Sequence, residues 1–322
     1  MPPAGPASLI RTYASFVKLS HTVFALPFAL VGMAAAYAVP TGYLYVLPGP
    51  DGMPPYPGSF DQRVPFSWLA LALILLCMVG ARSFAMAVNR ILDRRIDALN
   101  PRTAARELPA GRLSPGAAWL FAAAMALLYF MACAAFGEVV MLLSPIPIVF
   151  MALYPLTKRF TWLCHLVLGA SLGLAPVGAW VAVRSLSMAY NTDPSPVSIP
   201  EFVVGWGVWF GEQAVRAGIG WDAASELLPW LLGAAVMLWV AGFDIIYALQ
   251  DDEFDRANRL HSIPARFGRK AALWISRAMH LCAAACFFGF VWLLTHPAPV
   301  GGMGTRQYTE VANWVWVAPC VM

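Results

Sequence analysis

Charge is scarce in this chain. Of its 322 residues 12% are Asp, Glu, Lys or Arg and 60% are hydrophobic, and the mean hydropathy is +0.66. Soluble domains carry about a quarter charged residues, so the composition excludes a soluble domain and calls for a chain that lives in lipid. Organised cysteine is missing too. The six cysteines (Cys77, Cys133, Cys164, Cys282, Cys286, Cys320) all fall in apolar stretches. None forms a C-x-x-C pair with a second pair or a His, which excludes a zinc site of the usual spacing. No cleavable signal peptide is evident: Arg11 and Lys18 precede an apolar run long enough to span, without a small-residue cleavage site. The net charge of +4 points to no nucleic-acid partner.

What is present is a series of long apolar runs. A spanning helix needs about 20 such residues, and seven segments qualify: Ser15–Val39, Phe66–Val88, Ala117–Phe136, Val139–Tyr154, Trp162–Val183, Leu228–Leu249 and Ala271–Leu294. The fourth carries Pro145 and Pro147 and is expected to kink. An eighth begins near Val311 and is still apolar at Met322, so the C-terminal helix is expected to be incomplete. The fold class expected is all-α: one polytopic domain over 1–322, with about eight transmembrane helices in two four-helix halves around a central cavity.

The basic residues set the orientation. Arg90, Arg94, Arg95, Arg102, Arg106, Arg112, Lys158, Arg159, Arg256, Arg259, Arg266, Arg269 and Lys270 fall in one set of loops, together with Arg11 and Lys18. The alternate loops hold only Arg63, Arg184, Arg216 and Arg306. The first set, and with it the N-terminus, is therefore expected to be cytoplasmic. Two external loops are long. Pro40–Pro65 is rich in Pro, Gly and Tyr and reads as irregular. In the loop 184–227, Phe202–Phe210 carries Trp206 and Trp209 and reads as a short interfacial helix.

Two acidic constellations end helices that run into the cytoplasm. Asn89, Asp93 and Asp97 are spaced four apart and stack on one helical face. Asp251 and Asp255 repeat that spacing. Asp244 lies seven residues before Asp251, which on a continuous helix puts it on the same face about 10 Å deeper. Asp252 and Glu253 are expected to point away into solvent. A carboxylate at the depth of Asp244 is costly and marks a functional position; the plain alternative is a structural hydrogen bond to a neighbouring helix. For the first triplet the plain alternative is a solvated turn beside the membrane.

Paired carboxylates on facing helices suit Mg²⁺, which takes hard oxygen ligands and is shared between carboxylates and phosphates. Two such pairs could clamp a metal–diphosphate, stabilise the leaving oxygen and let an allylic diphosphate ionise inside a dry, aromatic-lined core. Cationic candidates for the diphosphate are Lys158, one turn after Tyr154, with Lys18, Arg82 and Arg94. Arg82 lies inside an apolar helix, where it needs an anionic partner. Arg102, Arg106 and Arg112 read mostly as topology signals. A transporter would also use intramembrane acids, but would distribute them across the bilayer, whereas these crowd one edge. A non-catalytic scaffold would need neither constellation.

Taken together and in order, Asn89-x-x-x-Asp93-x-x-x-Asp97, Tyr154-x-x-x-Lys158 and Asp251-x-x-x-Asp255 resemble the UbiA superfamily of intramembrane prenyltransferases. Lys18-Leu19-Ser20-His21-Thr22, Arg106-Glu107-Leu108-Pro109-Ala110-Gly111 and Ser262-Ile263-Pro264-Ala265-Arg266-Phe267-Gly268 are similar as well. The likeness runs from about residue 10 to 295, apart from the two external loops. It implies a helical membrane fold, usually of nine helices, that moves a prenyl chain from a polyprenyl diphosphate to an aromatic acid with Mg²⁺. The wording is most similar to the 4-hydroxybenzoate polyprenyltransferase group of quinone biosynthesis, including menaquinone-pathway relatives, in the bacterial cytoplasmic (inner) membrane. Carried over, Asn89, Asp93, Asp97, Asp251 and Asp255 would hold the magnesium–diphosphate. Tyr154 and Lys158 would bind the diphosphate, and Asp244 would stabilise the cation or take the ring proton.

Overall fold

The computed structural model describes residues 6–17, 26–39, 41–47, 56–62, 65–191 and 223–296. Lys18, the 202–210 segment and the chain beyond residue 296 lie outside the described residues. The elements are α1 (Pro6–Val17), α2 (Leu26–Ala38), β1 (Thr41–Leu47), β2 (Tyr56–Gln62), α3 (Trp68–Leu99), α4 (Pro115–Ala134), α5 (Glu138–Leu143), α6 (Pro145–Thr157), α7 (Cys164–Asn191), α8 (Ala223–Ala248), α9 (Asp252–Ala257) and α10 (Ile263–Thr295).

Among the described residues, six stretches are long and apolar enough to cross a membrane: α3, α4, α5 with α6, α7 to Leu186, α8 from Leu227, and α10. The chain is an integral membrane protein, and its elements follow the expected helices with instructive shifts. α3 runs eleven residues past Val88 to Leu99, so Asn89, Asp93 and Asp97 do share a regular helix. The fourth segment breaks at Ser144, where Pro145 opens α6 with no amide hydrogen to donate. α10 starts at Ile263 rather than Ala271, with a kink at Gly268, whose φ of 80° suits glycine. Pro40–Pro65, expected to be irregular, contains an antiparallel hairpin with Thr41 opposite Gln62 and Leu47 opposite Tyr56. The Tyr43-Leu44-Tyr45-Val46 run suits a strand, while Pro57 and Gly58 in its partner hid the pattern.

Serine caps start three of the long helices. Ser67, Ser114 and Ser262 accept from the amides of Ala70, Ala117 and Ala265, satisfying donors that the first turn leaves free. α3 packs against α4 and α6, while α7 packs against α2, α6 and α8, and α8 against α10. The α7–α8 contact is made by backbone. Gly169 and Gly173 are spaced as Gly-x-x-x-Gly, and a methyl group at Gly173 would come within 2.5 Å of the Gly233 carbonyl oxygen. In lipid, where burial of apolar surface gives helices little drive to associate, such close approach supplies the dispersion contact.

Widening that contact should cost about 1–3 kcal/mol. We expect Gly173→Val to lower the unfolding temperature in detergent. Gly116→Ala, at a position with nothing within 4 Å, should leave it unchanged.

Candidate active site

One end of the bundle carries the acids. Asp93 is 2% exposed and Asp97 6%, which rules out a solvated turn. Asp93 meets Lys158 Nζ at 2.8 Å and Arg159 at 3.3 Å, both from the end of α6. Asp97 takes both oxygens to Arg106, at 2.8 and 2.9 Å. Asp251 is held by Arg102, whose Nε lies at 3.0 Å, and by Asn100 Nδ2 at 3.1 Å. Burial works against the Asp251 charge, and the Arg102 and Asn100 hydrogen bonds outweigh it, holding its carboxyl below the usual carboxylate range. Asp255 differs: burial pushes its carboxyl up, against the opposing pull of the Ser262 hydroxyl and Lys158.

Lys158 is the meeting point. It pairs with Asp93 and acts electrostatically on both Asp251 and Asp255. The two acidic motifs, more than 150 residues apart in the chain, meet at this end of the bundle, where Asp251 accepts from Asn100 and Arg102 just beyond Asp97. Asn89 Nδ2 donates to the Tyr154 hydroxyl, and Tyr154 lies within electrostatic reach of Arg82, Asp93 and Asp244. Arg82 lines a cavity of about 110 Å³ between α3, α4, α6 and α7, walled by Met78, Phe136, Met151, Leu172 and other apolar side chains. Its Nε is buried with no hydrogen-bond partner among the described residues. Arg94 instead turns onto the Ile91 carbonyl of its own helix at 2.9 Å, away from the Lys158 cluster.

Three expectations need correction. Asp252 is not solvated: it is 3% exposed and pairs with Arg256 at 2.8 Å and Arg269 at 3.1 Å. The reason is a break. α8 ends at Ala248, tightened by Leu249, Gln250 and Asp251 amides bonding three residues back, so α9 starts on a new axis and the continuous-helix projection from Asp244 fails. Glu253 is exposed as expected. Arg102 and Arg106 do more than set topology, since each neutralises an acid of the site.

Several groups escaped the sequence reading. Arg90 and Glu107 form a buried ion pair, and Ser15 Oγ donates to Glu107 at 2.6 Å, tying α1 to the loop after α3. Glu107 stood inside a motif stretch, so its importance was visible but its partner was not. His165, 2% exposed, places Nδ1 2.7 Å from Asp244 Oδ2. A lone apolar-flanked His carries no signal of that kind.

The UbiA prenyltransferase family model matches residues 59–305. The chain belongs to the UbiA prenyltransferase family. A UbiA homologue from Aeropyrum pernix K1, solved in its apo form, is 33% identical over 94% of this chain and 87% of its own, with a TM-score of 0.64. A UbiA homologue from Archaeoglobus fulgidus bound to DMAPP and Mg²⁺ shares the fold at 17% identity, with a TM-score of 0.51 over 96% of this chain and 98% of that one. Among curated relatives, the 4-hydroxybenzoate octaprenyltransferase of Photobacterium profundum is 28% identical over 62% of this chain. The chain spans little more than half, 56%, of that relative's length.

Among the described residues of this UbiA-family chain, no three His, Cys, Asp or Glu side chains converge as they stand to hold a metal ion. The donor chemistry nonetheless fits Mg²⁺. Asn89, Asp93, Asp97, Asp251 and Asp255 offer only hard oxygens, and Asp93, Asp97 and Asp251 each already hold a cation.

The Arg90–Glu107 pair gives a test of the scaffold. Arg90→Met leaves Glu107 buried beside only Ser15 and the more distant Arg112, and should cost about 3–5 kcal/mol. Arg90→Met with Glu107→Leu should recover most of that loss in thermal unfolding.

Proposed function

We propose that this chain is a membrane prenyltransferase that moves a polyprenyl group from a polyprenyl diphosphate to an aromatic acid of the 4-hydroxybenzoate type, in quinone biosynthesis. The observation that carries this reading is the meeting of both acidic motifs at one end of the bundle, with Asp93 paired to Lys158 and Asp251 held by Asn100 and Arg102 just beyond Asp97. The Mg²⁺ and DMAPP held by the Archaeoglobus fulgidus homologue and the activity named for the Photobacterium profundum relative support it. The site faces the cytoplasm, with the N-terminus on the same side, and by kinship with bacterial relatives the membrane is the bacterial inner membrane.

Asn89, Asp93, Asp97, Asp251 and Asp255 would hold Mg²⁺, which when bound neutralises the charge that develops on the departing diphosphate. Lys158 and Tyr154 bind diphosphate oxygens. Arg82 offers its unpartnered N–H to a substrate oxygen at the inner end, about 10 Å deeper than Asn89. The allylic C–O bond breaks with both electrons leaving on the diphosphate oxygen. An acceptor ring carbon then bonds to the allylic carbon, and Asp244 takes the ring proton while the C–H electron pair returns to the ring. The apolar cavity beside Arg82 and Tyr154 excludes the water that would otherwise capture the cation.

Membranes holding the protein, labelled polyprenyl diphosphate, Mg²⁺ and 4-hydroxybenzoate should yield a lipid-soluble aromatic product. Product only with a naphthalene-type acid would move the acceptor to the menaquinone pathway. Substrate transport with no product from any acceptor would overturn the enzyme reading. Asp93→Asn and Asp251→Asn should each abolish turnover in a protein that is less stable but still folded, as its helical content in detergent reads.

Asp255 adds a pH dependence. Its raised pKa means that it is the first of the second pair to be protonated on acidification, whereas Asp251 keeps its charge to lower pH. The Mg²⁺ concentration needed for half-maximal rate should rise as pH falls through the Asp255 range, and Asp255→Asn should flatten that rise.

A further inference from the structure

His165 touches neither Lys158 nor Arg82, and nothing in the chemistry above uses it. It is the first-turn residue of α7, 2% exposed, and both ring nitrogens are engaged. Nδ1 lies 2.7 Å from Asp244 Oδ2 on α8. The amide of Ile263, the first residue of α10, donates to Nε2 at 3.3 Å. One imidazole thus joins three helices.

The tautomer follows from the donor count. A helix start leaves amide hydrogens without partners. At α10 the Ser262 side chain takes the Ala265 amide, Pro264 has no N–H, and the fully buried Ile263 amide is left to His165. Nε2 must therefore keep its lone pair, the single proton of the neutral ring sits on Nδ1, and that proton is donated to Asp244. The same loop returns to the diphosphate side, because the His261 amide donates to the Lys158 carbonyl at 2.7 Å.

We propose that His165 is a positioning residue for Asp244. As the Nδ1–H tautomer it fixes one carboxylate oxygen and leaves the other, on a side chain that is 30% exposed, directed to the reacting ring. By its second nitrogen it ties that carboxylate to the start of α10, whose preceding loop bonds the Lys158 carbonyl through the His261 amide. The role as an aid to turnover rests on the prenyl-transfer reading; the hydrogen-bonded frame does not.

The decisive comparison is His165→Phe against His165→Gln. Phe keeps a ring and loses both hydrogen bonds. Gln can donate one amide hydrogen to Asp244 and accept from Ile263 through its oxygen, reproducing the donor–acceptor polarity of the neutral ring. With polyprenyl diphosphate and 4-hydroxybenzoate, His165→Phe should lower kcat by about 10- to 100-fold, the usual range when the partner that orients a functional side chain is lost. KM for the diphosphate should stay unchanged, and Gln should restore most of the rate. Equal kcat in wild type and His165→Phe, or no rescue by Gln in a protein that unfolds at the wild-type temperature, would overturn the proposal. ¹⁵N-histidine NMR of the detergent-solubilised chain reads the frame without turnover. The expected signature is a neutral ring protonated at Nδ1, shifted by Asp244→Asn; an imidazolium or an Nε2–H ring refutes it. If the wild type makes no product but the NMR signature is present, the function reading fails and the frame survives.

Discussion

Carboxylates at the edge of a bilayer are tolerable only when cations meet them, and that constraint organises the acidic end of this bundle. Moving an ion from water into a low-dielectric interior costs several kcal/mol even after relaxation. Asp93, Asp97, Asp251 and Asp252 are each brought to an Arg or Lys. The partners come from the loop after α3, the end of α6, α9 itself and the first turns of α10, so satisfying the acids closes the loops over the helix ends. Neutralisation and architecture are the same event here. The Arg90–Glu107 pair extends it to α1 through Ser15.

Such a pairing also suits an exchange of cations. Lys158 faces Asp93 and feels Asp251 and Asp255, so it occupies the region where metal and diphosphate would sit in the proposed reaction. A diphosphate brings its own negative charge, which a freed ammonium or guanidinium can take up. The side chains that quiet the acids without substrate then become the anion site with it. Arg82 stands apart. Its Nε lies beside an apolar cavity with no hydrogen-bond partner among the described residues, which suits it to the anion of the proposed reaction.

The sequence carried the helices and the two acidic faces, because period and charge are local properties. Asn89, Asp93 and Asp97 share a face whatever packs around them. The pairing of those acids was not legible, since which of many arginines meets Asp97 or Asp251 depends on the path of the 100–114 loop. The same limit explains Asp252: a break at Ala248 turns it inward, and no residue in Leu249-Gln250-Asp251 is a strong helix breaker. His165 was invisible for a related reason. Its meaning comes from Asp244 and Ile263, 79 and 98 residues away, and neither spacing repeats anything.

The partners of the acids change character with depth. Near the helix ends Asp93, Asp97 and Asp251 face full cations, whereas Asp244, within the last turn and a half of α8, faces an imidazole whose second nitrogen is already accepting a hydrogen bond. The difference is functional in the proposed chemistry. A shallow acid that grips a metal gains from a cation that can be displaced, because the site stays neutral at both ends of the exchange. A deep acid that must take a proton from a carbon would be weakened as a base by a permanent positive neighbour. A neutral donor would orient the carboxylate without cancelling its charge, and in the proposed tautomer the Ile263 amide occupies the second nitrogen. The helix start of α10 would then contribute to the proposed chemistry at Asp244 through a single backbone amide.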